Sequence, residues 1–150
     1  MDYRKQALKQ LQVANYLLDT SYKMLKEPKT LLIITDHVLD SFMIMITGIL
    51  EKERAAKLIP PYHDNQESKL LSFKNYVAKK HNLNEYVDLI ERIIFFTNER
   101  KKTPIEFSRK GSYVVCSDQF SKISTITETD VKQYIKKAKH FIDIVEPLHE

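Results

Sequence analysis

The sequence predicts an all-α fold: one helical-bundle domain, residues 1–150, of about five helices, with one long irregular loop or small hairpin at about residues 102–126. Three observations predict it. Apolar residues recur at steps of three and four through most of the chain, the period that gathers them on one side of a helix. Prolines and capping residues cut that pattern into helix-sized pieces at Glu27-Pro28, Pro60-Pro61, Asn82 and Thr127. Only 2 glycines in 150 residues leave too few for a Rossmann loop, a P-loop or an all-β fold rich in tight turns.

The first helix is expected over residues 3–26, with Leu8, Leu11, Ala14, Leu18, Tyr22 and Leu25 inward and Lys5, Lys9, Gln12 and Asp19 outward. Glu27-Pro28 ends it, because proline disfavours helical geometry in the residue before it and suits a new first turn. The second helix runs from about Lys29 to Lys57. Its middle is apolar on most sides (Leu31 to Ile34, Val38, Leu39, Phe42 to Ile46, Ile49, Leu50), which predicts a place at the centre of the bundle or in a dimer interface. After the break at residues 60–65 a third helix spans about Gln66 to Lys80 with Leu70, Phe73 and Val77 inward. Asn82, with Glu85 three residues on, reads as the N-cap of a fourth helix that ends near Lys101. Its inward residues are Leu83, Tyr86, Val87, Ile90, Ile93, Ile94 and Thr97. Within residues 102–126, Ile105-Glu106-Phe107 and Tyr113-Val114-Val115 flank Arg109-Lys110-Gly111-Ser112, a hairpin or an ordered loop. Thr127 and Asp130 form a capping box that opens the last helix, with Val131, Ile135, Ala138, Ile142 and Val145 inward.

Charge and cysteine bound the setting. The net charge of +4 divides evenly: residues 1–75 hold 11 basic and 9 acidic side chains, and residues 76–150 hold 13 and 11, so neither half is a charged tail. The single Cys116 follows a Tyr-Val-Val run, reads as a buried thiol and has no internal disulfide partner. No apolar stretch follows Met1–Gln6, so no signal peptide is expected. Phe42 to Ile46, the uninterrupted apolar part of the second helix, is too short to span a bilayer. The expectation is a cytoplasmic protein with no cofactor and no membrane partner.

Two groups of residues carry candidate chemistry. Asp36, His37 and Asp40 lie three and four apart on the apolar helix, so two carboxylates and an imidazole project from one side and could ligate a divalent metal. The competing reading is a polar stripe that hydrogen-bonds neighbouring helices or pairs with Arg4 or Arg92. Arg100, Lys101, Lys102, Arg109 and Lys110, interleaved with Phe107 and Tyr113, are the densest basic cluster. Cations bind phosphates and aromatic faces stack unpaired bases, so this cluster is a candidate for RNA or single-stranded nucleic acid. Glu99 and Glu106 oppose it. The five histidines show no Cys-His or Ser-His-Asp spacing.

The helix order resembles a known pattern: Ala7-x-x-x-Leu11-x-x-Ala14 in the first helix, a long apolar helix, a break and a short helix, a fourth helix ending in Asn98-Glu99-Arg100, and a final helix with Ala138-x-x-Phe141. This resembles the HEPN-type helical bundles. The resemblance implies a small α-helical protein, often a homodimer, and an RNase or RNA-binding role, frequently beside a nucleotidyltransferase. Active members carry Arg-x4–6-His, with the two residues meeting at a dimer cleft. Here the histidine positions after Arg100 hold Ile105, Glu106 and Phe107, and those after Arg109 hold Val114, Val115 and Cys116. No nuclease residue therefore carries over. The expected function is a non-catalytic homodimeric interaction module joined through the Leu31–Leu50 helix. The alternatives are a nucleic-acid-binding module using residues 100–113 and a metal-dependent enzyme using Asp36, His37 and Asp40.

Overall fold

Asp2 starts the first helix, its carboxylate accepting from the Lys5 amide at 2.9 Å. The structure, a computed structural model, describes the backbone of residues 2–102, 105–109, 112–116 and 123–149, and the side chains of residues 2–98 and 125–148. The first helix is α-helical over Tyr3–Tyr16, π-helical over Leu17–Tyr22 and α-helical again over Lys23–Leu25; together these are α1. It buries Ala7, Leu11, Ala14, Leu18 and Tyr22. Leu8, expected inward, is half-buried, and Leu25 is 72% exposed. A π segment turns less per residue than an α-helix, so the inward face lags behind the three-and-four count and Leu25 reaches solvent.

The second helix, α2 (Lys29–Ala55), is the centre of the molecule. Its buried residues include Leu31, Ile34, Val38, Phe42, Met45, Ile46 and Ile49. Burying them leaves two polar groups inside. The Thr35 hydroxyl donates to the Leu31 carbonyl at 2.8 Å and that of Ser41 to the Val38 carbonyl at 2.6 Å, so both are satisfied within the helix. The third helix, α3, is built from Gln66–Ser72, a π segment Phe73–Ala78 and Lys79–His81. Asn65 caps it through the Ser68 amide at 2.8 Å. The fourth, α4, is Asn84–Lys102, and the fifth, α5, is Glu128–Val145 with a 3-10 turn at Glu146–His149. α1, α5, α3 and α4 all pack on α2. Phe141 of α5 joins three of these layers, its ring 5.2 Å from Phe42, 5.8 Å from Phe73 and 5.2 Å from Tyr86. The molecule is thus an all-α bundle. α2 is the one described helix long and apolar enough to cross a bilayer, and most of that stretch is buried by the chain's own helices.

Three helices end on a left-handed residue, and none of the three is glycine: Lys26, Lys57 and Asn82. At the end of α2 the Leu58 amide reaches the Glu53 carbonyl and the Lys57 amide the Arg54 carbonyl, each at 2.9 Å, which together make a Schellman motif. At the end of α1 the Lys26 amide donates to the Tyr22 carbonyl at 2.7 Å, the simpler left-handed cap. Asn82 corrects an expectation. It terminates α3 with φ 57° and ψ 49°, and the Leu83 amide donates to the Ala78 carbonyl at 2.9 Å; it is not the N-cap of α4. Asparagine suits both positions because its short polar side chain tolerates left-handed backbone as well as capping amides. The other expected capping box is present: the Asp130 amide donates to the Thr127 hydroxyl and the Thr127 amide to the Asp130 carboxylate.

Residues 102–126 are not one irregular loop. β1 (Ile105–Arg109), β2 (Ser112–Cys116) and β3 (Ile123–Thr127) form a three-stranded antiparallel meander in the order β1-β2-β3. Arg109 lies opposite Ser112 and Phe107 opposite Val114, so the expected hairpin is there. The third strand was the missed element. Ser112 lies opposite Thr127, so one residue ends the sheet and caps α5.

Candidate functional site

The polar stripe on α2 reaches α1 and a cleft beside α3. His37 Nδ1 lies 2.7 Å from Gln10 Oε1 on α1, so the ring joins two helices and donates there when that nitrogen carries the proton. Among the described residues no three metal-ligating side chains cluster. Arg4 pairs with Glu146 at 2.8 Å and so joins α1 to the last turn. Asp40 lines a cleft of ≈ 320 Å³ between α2 and the start of α3, with Thr47, Asp64 and Lys69. Burial pushes its carboxyl up from the ordinary value; His37 opposes the rise and Asp36 adds to it.

A neighbouring cleft that shares Asp64 and Lys69 is lined also by Glu51, Arg54 and Tyr62. Lys69 is largely buried and bridges Asp64 at 2.9 Å, and its ammonium holds that exposed carboxyl below the ordinary carboxylate value. Next to them the Arg54 guanidinium sits 5.4 Å from the centre of the Tyr62 ring. The Tyr3 hydroxyl donates to Glu51, which is the main reason its pKa is pushed up to about 12. These side chains satisfy one another. They knit α1, α2 and the segment before α3 together, and only the Tyr-x-Asp spacing of Tyr62 and Asp64 after the two prolines hinted at them.

The basic segment divides into two groups. Arg100, Lys101 and Lys102 belong to the last turns of α4, and Arg109 ends β1. Four strand steps separate Ile105 from Arg109, about 13 Å of backbone. Phe107 lies within β1 and Tyr113 within β2, paired with Ser108. Lys110 lies outside the described residues, as do the side chains of the whole segment, Cys116 included.

One surface was not foreseen. α4 carries the run Ile93-Ile94-Phe95-Phe96, and four consecutive apolar residues on a helix cannot all face one side. Ile93 and Phe96 are buried, Ile94 is half-buried and Phe95 is 40% exposed. A groove of ≈ 660 Å³ runs between this ridge and α3, lined by Leu71, Lys74, Glu91, Ile94 and Asn98. A second, of ≈ 640 Å³, runs on the other side towards β3 and α5, lined by Asp88, Arg92, Phe95, Thr125 and Tyr134. Glu91 lines both and bridges Lys74 at 3.1 Å. A ridge with an exposed apolar crest between two grooves has the shape that helix–helix packing uses.

Compared with protein-family models, with curated proteins and with solved structures, the chain matches none.

Proposed function

We propose that the protein is a non-catalytic, HEPN-like helical bundle that acts by association, as a homodimer formed through the outer face of α4. One observation carries the reading: Ile94 and the 40% exposed Phe95 form an apolar crest on α4 between two grooves, with the 57% exposed Leu71 lining one of them. A two-fold interface needs a patch complementary to itself. A ridge beside its own groove meets that need, since each copy's ridge enters the other's groove. The rim carries both signs, Glu67, Asp88 and Glu91 with Lys74 and Arg92, so a rotated copy can set acid against base. Sedimentation velocity over a range of concentrations tests it. A concentration-dependent dimer is expected, and a strict monomer at high concentration would overturn the proposal.

A second reading rests on the backbone of the basic segment. Basic residues end α4 and β1, Phe107 lies between them in the chain and Tyr113 follows in β2. That order suits a single strand of RNA whose phosphates meet the cations and whose bases meet the rings. This reading expects binding that falls steeply with salt and is weakened by Arg109→Ala and Lys110→Ala. Absence of binding at low salt, or tight binding indifferent to both changes, would count against it.

A further inference from the structure

The corner where α1 turns into α2 exposes aliphatic side chains more fully than any other described part of the chain. Met24 is 82% exposed and Leu25 72%. Around them stand Lys23, Lys26 and Lys29, all exposed, against one acid, Glu27, so residues 23–29 carry a net +2. The backbone here is fixed. Lys26 is held left-handed by its bond to the Tyr22 carbonyl, its ammonium lies 5.2 Å from the centre of the Tyr22 ring, and Pro28 opens the next helix. The two aliphatic side chains are therefore presented on a set scaffold rather than on a loose loop.

From this we infer that the α1–α2 corner is a docking wedge for an anionic lipid surface. Methionine and leucine gain by leaving water for the boundary between headgroups and acyl chains, and lysines around them gain from the negative potential of that surface. The charge selects this occupant over the alternatives. A second copy applied to the corner would set lysine against lysine, unlike the α4 face, where both signs are present. A nucleic acid would satisfy the lysines but offers nothing to two aliphatic tips, because base recognition of this kind uses aromatic faces. No membrane-spanning segment is needed, and the inference does not rest on dimer formation.

Flotation of the full chain with phosphatidylcholine vesicles, with and without phosphatidylserine, tests it. Binding is expected to the phosphatidylserine vesicles, much less to phosphatidylcholine alone, and to weaken with salt. Met24→Asp and Leu25→Asp should each lower it at least about ten-fold. Lys23→Ala and Lys29→Ala should each lower it about five-fold. All four side chains are exposed, so circular dichroism should show the variants folded. Absence of flotation at low salt would overturn the inference. So would flotation unchanged by the Met24→Asp, Leu25→Asp double variant. If that double variant instead turned a dimer into a monomer, the corner would be a self-interface and the lipid reading would fall.

Discussion

α2 and α4 both carry more apolar side chains than a single inward stripe requires, yet they end in different surroundings. α2 is apolar nearly all round and is wrapped by α1, α3, α4 and α5, so its Phe42, Met45, Ile46 and Ile49 are sealed within one chain. α4 is less apolar overall, and its outer face keeps Ile94 half-buried and Phe95 40% exposed. Hydrophobicity on all sides is thus a statement about how many neighbours a helix needs. Whether those neighbours come from the same chain depends on where the helix sits. The chain's own helices cover most of the Leu31–Leu50 segment, although Ile33 stays 51% exposed, and α4 presents a second apolar surface.

The largest expected effect separates the two helices by stability. Phe42→Ala on α2 should destabilise the fold by about 3–5 kcal/mol in chemical denaturation, because it empties a packed aromatic site beside Phe141. Phe95→Ala on α4, where the side chain is 40% exposed, should cost markedly less, about 1 kcal/mol. Comparable losses at both positions would erase the distinction. Next comes association. Ile94→Asp with Phe95→Asp should raise the dimer dissociation constant at least about 30-fold, measured by dilution, since it charges the centre of the proposed interface.

Smaller changes sharpen the picture of how α2 is held. Lys57 ends it in a left-handed conformation that costs a residue with a Cβ roughly 1 kcal/mol, so Lys57→Gly should stabilise by up to about that amount. Asn82→Gly, at the equivalent place before α4, should gain less, because asparagine already tolerates the conformation. The smallest effect concerns Asp40 on the solvent side of α2. Its carboxyl is raised in the folded protein, so the fold binds its proton more tightly than the unfolded chain does. That contribution is present at low pH and is lost as pH rises through the raised folded value. Asp40→Asn should therefore increase the melting temperature near neutral pH and leave it unchanged in acid; a loss of stability at neutral pH would contradict the assignment.

Much of this architecture was legible in short stretches of sequence. The inward residues of α3 and α5, the Thr127–Asp130 box and the break at Pro28 each follow from residues within a turn of one another. The hairpin of β1 and β2 could be read because its halves are close in the chain. β3 carries β-branched residues in Ile123-Ser124-Thr125-Ile126-Thr127, but its pairing of Ser124 with Val115 is not written in any one local stretch. Leu25 was misplaced because a π segment leaves the three-and-four count intact while rotating the helix face. The α4 surface was missed for a different reason. Its signal, Ile93-Ile94-Phe95-Phe96, was present, but which of the four are buried and which stay partly exposed is set by tertiary packing. The polar cleft of Arg54, Tyr62, Asp64 and Lys69 likewise joins residues whose partnership depends on how the chain returns after its prolines.

Sedimentation equilibrium of the native chain beside Phe95→Asp tests the central claim most directly. The account predicts a dimer for the native protein and a folded monomer for the variant. A native protein that stays monomeric, or a dimer that survives Phe95→Asp unchanged, would contradict it.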